Sequence, residues 1–416
     1  MLLSKETAIR VTETQANIIG HLGYSAAKLW NICNYERKNH DPSSGKQYPD
    51  WYYQKSSHKG DLWFKSLPSQ TAQEICKQLD KAWKSFFVLK KTGGIGDPKP
   101  PRFKQEPIPV TYMQNGIKRI GKTALRLSVP KALKDHLAEK YDIHEDYLIL
   151  ENGVFRDMDT IKQLKIYMPE NGTVRLIVVY EKSEPEMKTD NGRYLSIDFG
   201  VHNFMTCFDS DGHSFIIGRK YLSIVRRYDK EIARVQSRWS SQQVSKGVRY
   251  PKPSKHIRKL YVQKMHAVKD YLHKMTHYIA EYCEIHNINT VITGDLTGIR
   301  EGKDFGDRVN QELHELPFKK VTMMLEYKLK LRGIRFFGVK EAYSSQCSPL
   351  SPSVEKKHAQ KANRVKRGLY FDQGMIWNAD SVGAYNIMRL FMQEKGIPFI
   401  PVPNGLSSPE IIKVAV

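Results

Sequence analysis

Three carboxylates stand where burial makes an acid costly. Asp198 closes the apolar stretch YLSIDFG, Glu341 closes IRFFGVKE, and Asp380 falls in the first turn of a helix that opens at Asn378. An ionised carboxylate taken out of water needs a partner. Acids at the carboxyl ends of neighbouring parallel strands can meet, because strands lie ~4.8 Å apart and sites form just beyond those ends. Three such groups cannot all stay ionised without a cation. Hard oxygen ligands with room for water suit Mg²⁺ or Mn²⁺, and two ions ~3.5–4 Å apart would clamp the attacking and leaving oxygens of a phosphodiester. Asp295, in TVITGDL, is a fourth acid near a strand end; a turn or N-cap role ahead of Thr297 is weighted above a metal role. Asp209 and Asp211 lie in a DSDG turn, where Asp is favoured by turn chemistry, and receive no catalytic role.

The elements that must position these acids follow from hydrophobic spacing. From Tyr194 on, YLSIDFG, FMTCFD and SFIIG read as three strands in hairpin order. Helices over about 219–243 and 254–286, a strand at 290–296, a helix from Phe318, a strand at 334–341 and a last helix over 378–395 follow. That order of elements is the order of a ribonuclease H-like α/β domain, a mixed sheet with helices packed on it. Upstream, residues 6–11 read as a strand and about Glu13 to Arg37 as a helix. Residues 38–50 read as a polar loop. Ala72, Ile75, Cys76, Leu79, Ala82, Trp83, Phe86 and Phe87 form the apolar stripe of a second helix, for which core packing is the favoured role and base stacking by Trp83 or Phe87 the lesser one. From 107 to 182, alternating and β-branched runs with NG turns at 115–116, 152–153 and 171–172 predict a small antiparallel barrel or sandwich. SEPEMKTDNG (183–192) is a candidate domain boundary, and the Pro-rich tail after Gly396 is expected to be loosely held.

Charge points to the partner. Lys and Arg number 66 against 44 Asp and Glu, a net charge of +22 in 416 residues. Such a surplus concentrates anionic ligands, and with aromatics at 11% the chain suits nucleic acid better than a membrane surface. No run approaches the eighteen apolar residues of a membrane span, and the first residues lack an apolar leader, so a cytoplasmic setting is expected. The five cysteines are scattered and form no C-x-x-C pair, which argues against a disulfide framework. Residues 90–104 (KKTGGIGDPKPPRFK) cannot be helix throughout their Gly- and Pro-rich course, and they place positive charge on a mobile loop. A nucleic-acid contact and a solvated linker stand level there. Lys90, Lys91, Lys99, Arg102 and Lys104 in this segment, and Lys255, Arg258 and Lys259 further on, are candidate backbone contacts.

Taken together, LPSQTAQEICKQLDKAWKSFF followed by PRFK, then SIDFGVHNF, GDLTGIR, EAYSSQCS, and RGLY with NADSVGAYNI, resemble the TnpB (OrfB) family of transposon-encoded RNA-guided DNA nucleases, related to type V CRISPR effectors and to Fanzor proteins. The resemblance spans nearly the whole chain. It implies a multidomain α+β fold: a wedge β-barrel from 1–11 and 106–190 with a helical recognition domain inserted at 12–105, then a RuvC-like α/β nuclease domain at 191–395 with a small insert at 344–377, and a tail at 396–416. It implies a guide RNA and a target double-stranded DNA as partners, and two Mg²⁺ (or Mn²⁺) ions held by Asp198, Glu341 and Asp380 for cleavage.

Two departures from the family pattern matter. The glutamate usual before Asp-Leu is Gly294 here; Glu341, on the next strand, stands where some members and the Fanzor group carry a substitute. The alternatives are a nuclease-inactive RNA-guided DNA-binding protein or repressor, and a transposase accessory protein. The insert's usual pairs of cysteines are reduced to Cys347. Four soft ligands are needed for structural zinc, so none is expected. Lys356, Lys357, Lys361, Arg364, Lys366 and Arg367 leave the insert basic, with Arg364 and Arg367 as candidate phosphate contacts.

Overall fold

The computed structural model describes all residues except 94–95, 296–315, 365, 367, 400, 403 and 416. The chain forms two compact units, Met1–Ser183 and Glu184–Val416.

The first unit opens with strand β1 (Leu2–Arg10) and helix α1 (Glu13–Lys38). Thr12 Oγ1 accepts the Gln15 amide and Gln15 Oε1 accepts the Thr12 amide, a reciprocal cap that starts the helix at Glu13. Helices α2 (Trp51–Ser57), α3 (Leu62–Lys65) and α4 (Ser69–Thr92) follow. Helix α2 has one buried residue, Gln54, and so leaves no apolar stripe in the sequence. Helix α4 runs through Lys90 and Lys91 and stops at Gly93, whose φ of 66° is the left-handed cap that glycine accepts without penalty. The expectation of non-helical chain from residue 90 is corrected there.

Strands β2 (Val110–Met113), β3 (Ile117–Ile120), β4 (Ala124–Ser128), β5 (Tyr147–Glu151), β6 (Thr160–Ile166) and β7 (Thr173–Glu181) complete the unit, with helix α5 (Lys131–Tyr141) between β4 and β5. They make two antiparallel sheets, β1-β7-β6-β2 and β3-β4-β5. Asn171 and Gly172 link β6 to β7 with φ of 51° and 70°, the paired positive values of a hairpin turn matched to strand twist. Ile18, Leu22 and Leu29 of α1, Ile75 and Leu79 of α4, and Leu125, Leu164 and Leu176 of the sheets share one buried core. Helix α5 goes unseen in the sequence because Leu133 and Leu137 are its only buried positions.

The second unit is built on a six-stranded sheet. Its strands are β8 (Tyr194–Phe199), β9 (Met205–Asp209), β10 (Ser214–Ile217), β11 (Thr290–Gly294), β12 (Arg335–Val339) and, from the far C-terminal stretch, β15 (Glu410–Ile412). A hairpin of β13 (Leu369–Asp372) and β14 (Met375–Asn378) stands apart. The sheet order is β12-β11-β8-β9-β10-β15. Strands β8, β9 and β10 are antiparallel neighbours, whereas β11 runs parallel to β8, and β12 parallel to β11. The expectation of a loose tail is corrected: β15 pairs in parallel with β10, and Leu406 just before it is fully buried. Helices α6 (Tyr221–Val244), α7 (Lys255–Ile285) and α8 (Phe318–Lys330) cover one face, and α9 (Ala379–Lys395) the other.

Side chains alternate across a strand, so membership of the two cores fixes the facing of every position. Leu195, Ile197, Phe199 and Val291 belong to the core under α7 and α8. Tyr194, Ile292 and Val339 belong to the core under α9. By the same alternation, Asp198 and Gly294 lie on the α9 face.

Candidate active site

The register brings the carboxyl ends of three parallel strands together. Thr293 pairs with Ile197 and Gly294 with Val339, so Asp198, Gly294 and the segment after Val339 are neighbours. Glu341 lies two residues beyond the end of β12, a correction to its placement as the strand's last residue. Asp380 sits in the first turn of α9, whose start is fixed by Asn378: its Oδ1 accepts the amides of Asp380 and Ser381 at 3.0 and 3.1 Å. Ser214 and Ser381 hydroxyls meet at 2.7 Å and dock that helix end onto β10. A helix N-terminus favours a negative side chain.

Two glycines make room for two of the acids. A Cβ at Gly294 would lie 2.0 Å from Glu341 Oε2 and 2.9 Å from its Cδ. A Cβ at Gly383, one turn along α9 from Asp380, would lie 2.5 Å from Asp198 Oδ2. Glu341 therefore occupies the space that a side chain at position 294 would take.

The electrostatics agree. Burial pushes the Asp198 carboxyl well above the usual range, and the charges of Glu341 and Asp380 push it further; Arg364 acts in the opposite direction. The residue keeps some exposed surface, yet its carboxyl sits deep among other groups. Arg364 Nη2 stands 3.7 Å from Asp380 Oδ1, and Asn203 Nδ2 donates to Asp380 Oδ2 at 2.7 Å. Arg364 is thus placed at the acids. Arg367 lies outside the described residues, as do Leu296, Thr297 and Gly298.

The three carboxylates gather without closing onto a single point. Among the described residues, the acid and histidine ligand atoms that all lie within 4.8 Å of one another are those of Asp209, Asp211 and His213. That group is occupied by its own turn. Asp209 Oδ1 accepts the amides of Asp211 and His213, its Oδ2 accepts the Tyr282 hydroxyl at 2.6 Å, and Asp211 pairs with Arg193. Asp295 is exposed, its amide donates to the Val339 carbonyl at 2.7 Å, and its position alternates away from the α9 face.

The candidate backbone contacts fall in different settings. Lys90 and Lys91 are exposed on the last turn of α4, and Lys255, Arg258 and Lys259 on the first turns of α7. Lys99 is paired with Asp97. The stretch 101–104 is tied to α1 by hydrogen bonds rather than standing free. Carbonyls of Pro101, Arg102 and Lys104 accept from Asn34, Trp30 and Asn31 of α1 at 2.9, 3.1 and 2.8 Å, and Asn31 Oδ1 accepts the Lys104 amide at 2.7 Å. This ladder leaves Lys38, Arg102, Phe103 and Lys104 around a cleft of about 620 Å³. Trp83 is a core residue that donates to Asn34 Oδ1; Phe87 is half-exposed.

The family model OrfB_IS605, described as "Probable transposase", matches residues 177–300, and the Cas12f1-like TNB domain model matches 318–387. "Putative RNA-guided DNA endonuclease InsQ" of Escherichia coli (strain K12) is 22% identical over 369 residues, 85% of this chain and 83% of that protein. A solved Cas12f1-sgRNA-target DNA complex aligns with a TM-score of 0.53 at 14% identity, covering 90% of this chain and 83% of that one. The chain is thus similar to TnpB-type (OrfB) proteins and to the type V effectors. The first family match contains Asp198 and Gly294, and the second contains Glu341, Arg364 and Asp380. No helix among the described residues is long and apolar enough to cross a membrane.

Proposed function

We propose that the protein is an RNA-guided DNA endonuclease of a mobile element, cutting DNA phosphodiesters at a RuvC-like site formed by Asp198, Glu341 and Asp380. The observation that carries this reading is the gathering of the three acids, from one strand end, the segment after another strand and a helix start, on the α9 face of one sheet. The strand order, three antiparallel strands followed by two parallel ones, supports a ribonuclease H-like nuclease domain. The preceding unit would supply the wedge and recognition parts, and the +22 net charge suits a guide RNA and a double-stranded target.

The residues present fit divalent ions. The donors are all hard oxygens, the Glu341 carboxylate fills the cradle over Gly294, and Asn203 Oδ1 is a buried acceptor without a hydrogen-bond partner among the described residues. Asp198, Glu341 and Asp380 would hold two Mg²⁺ or Mn²⁺ ions. When bound, such ions lower the pKa of water and stabilise the charge of an in-line displacement. The protein's own contribution is preorganisation. Asn378 and Asn203 orient Asp380, Gly383 lets Asp198 lie against α9, and Arg364 can hold a phosphate oxygen beside the acids. In the ribonucleoprotein, base pairing to the guide would specify sequence while the protein positions the strand.

The test is cleavage of target plasmid by the purified ribonucleoprotein in Mg²⁺. Wild type should cut, and Asp198→Ala should not while retaining its RNA. Equal cutting by both would refute the assignment.

A further inference from the structure

Asn203 stands in the hairpin loop that leaves β8 at the end where Asp198 lies. The loop is tight. The Gly200 amide donates to the Phe204 carbonyl at 3.3 Å, and a Cβ at Gly200 would sit 2.7 Å from the Asn203 carbonyl oxygen. Phe204 is fully buried against the rings of Phe199, Tyr221 and Phe318, so the residue before it is held in place.

The amide's two ends have different fates. Nδ2 donates to Asp380 Oδ2 at 2.7 Å; the opposite orientation would set oxygen against oxygen, so this contact decides which end is which. Oδ1 is then buried with no hydrogen-bond partner among the described residues. Buried acceptors are nearly always satisfied, and one left open beside a group of carboxylates marks a place for a donor. The other Asp380 oxygen faces Arg364 at 3.7 Å, so Asp380 is held from both sides.

We infer that Asn203 is a positioning residue of the ion site: its Nδ2–H group holds Asp380, and its Oδ1 accepts a hydrogen bond from water bound to a divalent cation on the three carboxylates. The inference rests on the two-ion reading given above. A neutral amide suits the position, since it orients an already crowded acidic group without adding a fourth charge. Partners of this kind typically carry about 10–100-fold in metal affinity.

The test uses the full chain stripped with EDTA and titrated with Mn²⁺, free Mn²⁺ being read by electron paramagnetic resonance. Asp198→Ala should lose the site and defines the background from other carboxylates. Asn203→Ala should bind about 10-fold more weakly than wild type, with its Tm in EDTA unchanged. Binding within about twofold of wild type would overturn the inference. If Asp198→Ala binds as wild type does, the two-ion reading itself fails. Asn203→Asp keeps the side chain's shape and gives a second measurement should the alanine variant not fold. Mn²⁺ should raise its Tm by more than it raises that of wild type, because the ion would neutralise the added carboxylate, and an equal rise would overturn the inference.

Discussion

The two units bury charge by opposite rules. In the first, Arg37 and Asp80 meet at 2.9 Å between α1 and α4, both almost wholly buried. Arg37 Nε also donates to Gln54 Oε1 at 2.9 Å, and Asp80 Oδ2 takes Lys84 at 2.9 Å. Burial alone would push the Asp80 carboxyl up, but Lys84 and Arg37 hold it below the usual range. In the second unit, Asp198 is pushed the other way, by burial and by two further acids. Opposite charges that complete one another hold a fold together. Like charges that the fold forces together store an affinity for something that is not part of the chain.

That contrast can be broken from either side. The largest effect is expected at the acids: Asp198→Ala or Asp380→Ala should lower cutting by on the order of 10³-fold or more, read in single-turnover cleavage, with guide RNA retained. In the first unit, Asp80→Ala should leave Arg37 buried without its partner and destabilise by about 3–5 kcal/mol in chemical denaturation. Next comes Lys328, buried on α8, which donates to the His273 carbonyl at 2.6 Å and Thr276 Oγ1 at 2.8 Å. Burial lowers its pKa to about 8, helped by Arg332. The folded state therefore releases this proton at lower pH than the unfolded chain, whose lysine titrates near 10.4. Stability from this group is lowest below about pH 8 and rises between about 8 and 10.4. Lys328→Met should gain about 1–3 kcal/mol near pH 7, and the gain should vanish above about pH 10.4. The smallest effect is expected for Asp198→Asn in EDTA. Removing one of three crowded charges should raise Tm at pH 7–8 by about 2–4 °C, for on the order of 1 kcal/mol. A lowered Tm would say that the acids are compensated from within.

Much of this contrast was legible in the residues. Asp198 and Asp380 were marked by an acid ending an apolar strand and an acid opening a helix, both local signals. Glu341 was marked by the same rule, although it lies past β12 because the strand's ladder ends at Val339. The exchange of Gly294 for Glu341 was suggested by the family pattern, but the close approach of the Glu341 carboxylate to the Gly294 backbone needed the fold, since strand register sets it. Asn203 carried no signal beyond being a polar residue in a tight loop, and its contact spans 177 residues of sequence. Arg364 looked like one of several phosphate contacts in a basic insert; tertiary placement sets it beside Asp380. In the first unit, the stripe of α4 was plain from spacing, but the ladder from Asn31 and Asn34 to 101–104 was hidden, because Gly, Pro and Lys in that stretch read as mobile chain. The strand at 410–412 was hidden for a related reason: three residues in a Pro-rich stretch carry too little pattern to show a partner.

The central claim is that Glu341 reaches across to the space over Gly294 and serves there as an ion ligand. The direct measurement is plasmid cleavage by the ribonucleoprotein of Glu341→Ala alone and of Glu341→Ala combined with Gly294→Glu. The single variant should be inactive, and the double variant, with its carboxylate supplied from the neighbouring strand, should recover cutting. Wild-type cutting by Glu341→Ala would contradict it.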